Sequence, residues 1–177
     1  MTIQPFFESG LEFGPYEEDV FFRIEQSHVY AKIKDDVKIG EFIFLKDKYR
    51  IIIIEAKSSS PRPETQPNFE EFISDIRDKM LNSFSLFMAC RLRRHGNHAF
   101  RLLPRKLGVT NPKKIKFSFI LVVNGHKHEW CIPIQEALTL ALRPIIKTWN
   151  IGANSVAVLN KESAVEYGLV SDASIAD

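Results

Sequence analysis

The run from Ile51 to Ile54 constrains the fold of this chain more than any other segment. Four consecutive β-branched residues predict a strand that is buried on both faces of a sheet. Glu55, Ala56 and Lys57 follow directly, and strand alternation places Glu55 and Lys57 on the same face. The sequence therefore predicts an acid and a base side by side at the end of a buried strand. The alternative is a strand that simply surfaces at Glu55, which the Ser-Ser-Ser-Pro that follows allows.

A second strand is predicted just upstream, over 40–45, and residues 46–48 have the composition of a turn. In an antiparallel hairpin folded at this turn, Glu41 lies opposite Glu55. Like charges at the short cross-strand spacing of about 5 Å destabilise a sheet. A hard divalent cation between the two carboxylates explains the pair, and Lys57 would then orient a water or balance charge on phosphorus.

These residues resemble the core of the PD-(D/E)XK nuclease superfamily, which has the restriction-endonuclease-like fold. The first half of the chain is similar to that core, and the second half is similar only in the order of its elements. By this resemblance Glu41 and Glu55 are metal ligands, Ala56 offers its backbone carbonyl to the metal, and Lys57 is the catalytic lysine. The family has proline and aspartate where this chain has Gly40 and Glu41. The resemblance implies Mg²⁺ as cofactor, with Mn²⁺ able to substitute.

A further acid is expected near the N-terminus, because in the superfamily a glutamate on the first helix often assists the metal. Glu17 and Glu18 are candidates, and a solvated acidic turn is the alternative for both. Residues 20–25 are predicted as the first strand, with Glu25 and Arg23 on one face. Glu25 is therefore another candidate catalytic acid.

The formal net charge of +2 hides an uneven distribution, since residues 79–128 contain no Asp or Glu. Such a cationic segment attracts phosphate backbones. The alternative is that its charges pair with the acidic N-terminal region. We favour nucleic acid, with DNA preferred to RNA, and expect the contacts to come from Arg91, Arg93, Arg94, Arg101, Arg105 and Lys106.

The rest of the chain is predicted to alternate helices and strands. The helix over 68–94, capped by Asn68 and ended by Gly96, carries an apolar stripe that belongs to the core. Asn124 and Gly125 predict a hairpin turn, with a return strand over 126–132 and a solvated tip that holds two histidines. The other predictions are loops over 1–19 and 104–112, strands over 116–123 and 155–159, a helix from Pro133 that is kinked or restarted at Pro144, and a short helix over 162–167.

This pattern predicts one α/β or α+β domain over 1–177, with a central mixed β-sheet flanked by helices, restriction-endonuclease-like by the resemblance. The chain shows no membrane-spanning run and no exported leader, so we expect a cytoplasmic protein whose two cysteines are buried thiols.

The resemblance implies a Mg²⁺-dependent nuclease that hydrolyses phosphodiester bonds, a DNA endonuclease in a defence or repair setting. So small a module is expected to act as a homodimer or as a subunit of a larger complex. The alternative function is a catalytically inactive nuclease-fold module that binds nucleic acid or a protein partner. A plain structural subunit would leave the acid-free basic segment unexplained.

Overall fold

A computed structural model of the chain describes residues 1–172, so the end of the predicted domain, 173–177, lies outside the described residues. Two short antiparallel ribbons open the chain, formed where β1 pairs with β4 and β2 with β3. Their bounds are β1 (Thr2–Ile3), β2 (Phe6–Glu8), β3 (Leu11–Phe13) and β4 (Tyr16–Glu17).

The remaining strands form one central sheet in the order β5-β6-β7-β8-β9. Its strands are β5 (Phe21–Phe22), β6 (Phe42–Leu45), β7 (Arg50–Lys57), β8 (Lys116–Val123) and β9 (Val156–Leu159). The helices are α1 (Asn68–Arg91), α2 (Gly96–Arg101), α3 (Arg105–Val109), α4 (His128–Thr148) and α5 (Lys161–Glu166). The first three strands pair antiparallel and the last three pair parallel. The prediction of an α/β or α+β fold with a central mixed sheet and helices is confirmed.

The isoleucine run is buried on both faces of the sheet, as predicted. All four side chains of 51–54 are 0 % exposed. Ile51 and Ile53 pack into the core on the side of α1 and α4. Ile52 and Ile54 pack into a second core, formed with the N-terminal ribbons and α5. Since both faces of β7 are covered here, Glu55, which follows the run directly, is also buried.

The N-terminal ribbons replace the loop that the sequence predicted over 1–19. Their strands of two or three residues are too short to show a period of two, so alternation could not reveal them. They are held by an aromatic cluster in which Tyr16 stacks on Phe21 and Phe13 meets Phe42 edge to face. The strand predicted over 20–25 was mostly wrong, because only Phe21–Phe22 pairs and Ile24–Gln26 forms a 3-10 turn.

The return strand predicted over 126–132 was wrong. β8 is paired on one side with β7 and on the other with β9, so a hairpin partner has no free edge to join. Parallel strands need a crossover connection, usually a helix, and α4 provides it from His128 onward. Pro133 and Pro144 both lie inside this helix, so neither begins or restarts it.

Three smaller predictions also need correction. Asn68 is the first residue of α1 and does not cap it, since the cap position is Pro67. Gly96 begins α2, because the chain turns at Arg93 in a left-handed conformation after α1 ends. The loop predicted over 104–112 contains α3. None of the helices in residues 1–172 combines the length and the hydropathy needed to span a membrane.

Candidate active site

The hairpin of β6 and β7 has the predicted register over 42–45, where Phe42 pairs with Ile54. Glu41 lies just before β6, outside the ladder, and its amide donates to the Ile54 carbonyl oxygen at 3.0 Å. That bond is offset by one residue from the pairing of Phe42 with Ile54, so the direct pairing of Glu41 with Glu55 stays a prediction. Glu41 is close enough for the charge of Glu55 to raise its pKa, so the two carboxyl groups lie near each other at the carboxyl end of β7.

Glu55 is a fully buried carboxylate that contacts two lysines through one of its oxygens. Its Oε1 accepts from Lys57 Nζ at 2.7 Å and from Lys79 Nζ at 2.6 Å, and its side chain is 0 % exposed. The other oxygen, Oε2, is buried and has no hydrogen-bond partner among the described residues. A buried carboxylate is tolerated when it is paired, but an unpartnered buried oxygen is costly. Oε2 is thus a buried acceptor that a ligand could satisfy.

Lys79 is a site residue that the sequence analysis missed. It comes from α1, 24 residues along the chain from Glu55. Burial alone would lower its pKa, but the contact with Glu55 outweighs burial and the pKa is raised. The only signal in the sequence was its place beside Met80 in the buried stripe of α1, where a solvated lysine is not expected.

Glu41 belongs to a group of three acids. Glu8, Glu25 and Glu41 each offer a carboxylate oxygen, and these atoms all lie within 4.8 Å of one another. Burial raises the pKa of Glu41 to about 8, with further contributions from Glu55, Glu25 and Glu8. Glu41 therefore carries a proton at neutral pH unless a cation replaces it.

The structure settles which N-terminal acid lies near Glu41. Glu25, a candidate from the sequence, is there, although it reaches the site from a 3-10 turn and not from a strand. Glu8 was missed, because it ends β2 in a ribbon that the sequence did not reveal. Glu17 instead binds Lys106 at 3.0 Å, and Glu18 begins a different 3-10 turn.

The N-terminal ribbon is fastened to the same edge of the sheet. Asn124, which follows β8, donates from its backbone to the Lys57 carbonyl oxygen at 2.8 Å and from its side chain to the Ser9 carbonyl oxygen at 3.2 Å. Gly10 leaves room for that side chain, since a Cβ there would lie 2.8 Å from Asn124 Nδ2. Asn124 thus holds Glu8 at the site and does not form a hairpin turn.

Ala56 lies between the two motif residues on the opposite face of β7 and is buried. Its role as a carbonyl ligand stays a prediction, as do the catalytic roles of Glu41, Glu55, Lys57 and Glu25.

Gly40 is closely surrounded at the edge of the site. Its amide donates to Ser83 Oγ on α1 at 2.8 Å, a bond that proline has no N–H to form. A Cβ at this position would lie 3.0 Å from the Ile54 carbonyl oxygen and 3.4 Å from Glu55 Oε2. This position therefore favours glycine over alanine and over proline.

Gly40→Ala is expected to lower the free energy of unfolding by about 1–3 kcal/mol, because the added methyl presses on β7. The matched control is Gly152→Ala, where a Cβ meets no atom within 4 Å. That variant should be neutral or more stable by about 0.4–1 kcal/mol, since alanine restricts the unfolded chain. Urea denaturation of both variants measures the difference, and equal stabilities would contradict the close approach at Gly40.

Glu41→Gln is expected to stabilise the metal-free protein at high pH. The folded pKa of about 8 lies above the ordinary value of 4.5, so the folded state holds a proton that the unfolded state releases. The free energy of unfolding of the wild type therefore falls as pH rises from about 4.5 to about 8. The Gln variant escapes this loss, which we expect to be about 1–2 kcal/mol because partial exposure reduces the effect.

Urea denaturation in EDTA at pH 5 and pH 8.5 measures this effect. The advantage of the Gln variant should appear only at the higher pH. If the free energies of unfolding of the two proteins change equally between these pH values, a protonated Glu41 is contradicted.

Arg91, one of the basic residues predicted to bind nucleic acid, lies away from this site. Arg91 is about 18 Å further along α1 than Lys79 at the rise of an α-helix. It donates to the Thr110 carbonyl oxygen, and the Arg93 guanidinium stacks on the Phe100 ring. Two of the six predicted basic residues pair with N-terminal acids, as the alternative interpretation anticipated. Arg105 pairs with Asp19, and Lys106 pairs with Glu17. Arg94 and Arg101 are exposed, and nucleic-acid binding by the six residues stays a prediction.

The arrangement can hold a hard cation between carboxylates, next to two ammonium groups that can contact an anionic substrate. Comparison of the chain with protein-family models, curated proteins and solved structures gives no match. The residues themselves are therefore the basis for inferring the function.

Proposed function

We propose that this chain is a Mg²⁺-dependent nuclease with a restriction-endonuclease-like fold that hydrolyses phosphodiester bonds, in DNA by preference. One observation carries the proposal. Glu55 is fully buried, holds two lysines on one oxygen, leaves its other oxygen without a partner among the described residues, and lies near Glu41, an acid that clusters with two more. A purely structural ion pair needs neither the free oxygen nor the facing acids.

The donor set fits a hard divalent cation. Carboxylate oxygens are the ligands Mg²⁺ prefers, and it usually takes one or two of them. Glu41 and Glu55 would hold the metal, with Glu25 or Glu8 beside them and the carbonyl of Ala56 as a further ligand. When bound, Mg²⁺ would supply positive charge against the phosphate and favour a nucleophilic water.

The two lysines are suited to different roles. The Lys57 side chain is the more exposed, at 28 % against 17 % for Lys79, so Lys57 can reach both Glu55 and a substrate. We assign Lys57 to the reacting phosphate, where it orients the water or stabilises the developing charge. Lys79 is a positioning residue that fixes the Glu55 carboxylate.

A catalytically inactive nuclease-fold module is the second candidate. The two ammonium groups on Glu55 already offset its charge, so this residue can be stable without metal. Such a module would bind nucleic acid or a protein partner without cleaving. In either case we propose a cytoplasmic protein that acts as a homodimer or as a subunit of a larger complex, and both of its cysteines are free and buried.

The direct test is cleavage of end-labelled DNA and RNA by the purified protein. We expect phosphodiester hydrolysis with Mg²⁺ or Mn²⁺, none in EDTA, and recovery when metal is restored. Binding of the labelled strands without cleavage in either metal would support the second candidate and reject the nuclease.

A further inference from the structure

We propose that a groove beside the active site binds an unpaired nucleobase of the substrate, so that the enzyme acts at single-stranded segments, overhangs or flaps. This inference rests on the proposed nuclease function and names its substrate class. The groove has a volume of about 520 Å³, within the range of ligand pockets. Ser60, Arg62, Glu64, His126, Glu129 and Trp130 are among its lining residues. We call it the Trp130 groove.

The Trp130 groove lies at the same edge of the sheet as Glu55 and Lys57. Ser60 is three residues beyond Lys57, so their Cα atoms are no more than about 11 Å apart. On the other side of the groove, His126 is two residues beyond Asn124, whose amide donates to the Lys57 carbonyl oxygen. A strand whose phosphate lies at Lys57 can therefore place a neighbouring base in this groove.

Trp130 supplies an aromatic surface whose surroundings restrain it. The side chain is 47 % exposed, although a large aromatic residue is usually buried. His126 meets its ring edge to face, with centroids 5.6 Å apart, and is itself held by a 2.7 Å hydrogen bond to Ser60 Oγ. Stacking on such a surface is tolerant of sequence and is how proteins bind bases of single strands.

The charges of the Trp130 groove favour a base over a phosphate. Of the charged residues that line the groove, Arg62 is outweighed by Glu64 and Glu129, and burial lowers the pKa of His126. Lys127 is not a lining residue, and its Nζ lies 5.6 Å from the centroid of the Trp130 ring. A groove lined by more carboxylates than guanidinium groups has no net attraction for an anion. Its guanidinium, carboxylates and imidazole instead offer both donors and acceptors to the edge of a base. The phosphates are left to the lysines at the sheet edge.

The base must be unpaired because a paired base is covered on both faces by its stacked neighbours and on its edge by its partner. Another groove, of about 740 Å³, runs along the outer face of α4 past Leu140 and Arg143. It carries no proposal, because nothing in the described residues indicates what covers it.

The chain contains two tryptophans of nearly equal exposure, which provides a matched test. Trp130 is 47 % exposed and Trp149 is 45 % exposed. Trp149→Phe leaves Trp130 as the only tryptophan, and Trp130→Phe leaves only Trp149. Each variant is titrated in EDTA, where no cleavage occurs, with a short single-stranded oligodeoxynucleotide while tryptophan emission is recorded. Circular dichroism melts show that both variants are folded.

We expect saturable quenching in Trp149→Phe and none in Trp130→Phe. A blunt duplex of the same sequence should not quench, and Trp130→Ala should weaken single-strand binding at least about 5-fold, the lower end for one stacked base. Equal quenching in the two variants, or no quenching in either, would overturn the proposed base-binding groove. Quenching by the blunt duplex would also overturn it.

The double variant Lys57→Ala with Trp149→Phe separates this inference from the proposed function. We expect it to reach the same quenching at saturating oligonucleotide while cleaving about 10²–10³-fold more slowly than the wild type. If the wild type cleaves but Trp130 is not quenched, the Trp130 groove fails and the nuclease stands. If Trp130 is quenched but no variant or wild type cleaves in any metal, the nuclease fails and the groove is a binding site of an inactive module.

Discussion

Lys57→Ala should reduce the rate of Mg²⁺-dependent cleavage by about 10²–10³-fold, the usual effect of removing one group that stabilises charge in the transition state. Substrate binding should change far less, because the metal ligands and the Trp130 groove remain. The fold should also be retained, since Glu55 keeps Lys79 at 2.6 Å. Single-turnover cleavage with saturating enzyme measures the chemical step alone.

Two other lysines serve as comparisons for this prediction. Lys38→Ala removes a lysine that is 74 % exposed and pairs with Asp75, and it should cleave like the wild type. Lys79→Ala should lose less activity than Lys57→Ala, and Lys79→Arg should recover part of that loss because a positioning residue needs only to hold Glu55. Full activity in Lys57→Ala would remove this residue from the mechanism.

Glu55→Gln should lower the free energy of unfolding by about 2–3 kcal/mol and abolish metal-dependent cleavage. Removing one partner from a buried ion pair typically costs about 3–5 kcal/mol, and the partial exposure of both lysines reduces that figure here. The cost arises because Lys57 and Lys79 are left close together without a counter-charge. Urea denaturation at pH 7 in EDTA measures the loss of stability.

Replacing Glu55, Lys57 and Lys79 together by apolar residues shows where that cost arises. The triple variant Glu55→Met, Lys57→Met and Lys79→Met should recover most of the stability, because apolar side chains often replace buried ion pairs without loss. Asp75→Asn is the exposed control and should cost no more than about 1 kcal/mol. A Gln variant as stable as the wild type would contradict a stabilising role for the two lysines.

The centre of the fold could be predicted because its signals are local. Strand alternation alone places Glu55 and Lys57 on one face, and the turn composition suggests a hairpin whose assumed register holds over 42–45. The acid and the base at the end of the isoleucine run were therefore readable before any tertiary contact was known.

The remaining site residues depend on tertiary contacts that no local pattern contains. Lys79 reaches Glu55 from a helix, and Glu8 arrives on a ribbon whose strands are too short to show alternation. The hairpin turn predicted at Asn124 was wrong for a related reason. Its sequence with glycine is typical of a hairpin, but β8 lies in the interior of the sheet, and Asn124 fastens the N-terminal ribbon instead.

The distribution of charge along the sequence likewise predicted only in part which basic residues remain available to a partner. The basic segment is real, but the fold pairs Arg105 and Lys106 with acids from the first 20 residues. Composition shows how much charge a segment carries, whereas the tertiary structure decides how much of it remains for a partner. Of the two lysines that contact Glu55, Lys57 was predicted from the sequence and Lys79 was identified only from the structure.

The measurement that tests the metal centre most directly is anomalous diffraction from crystals soaked in Mn²⁺. We predict an anomalous peak within coordination distance of Glu41 and of the free oxygen of Glu55, which would establish the metal site and the hairpin register together. The same soak with Glu55→Gln crystals should give no peak there. An ordered wild-type site without a peak at saturating Mn²⁺ would contradict the metal-dependent nuclease and leave the non-cleaving binding module as the function.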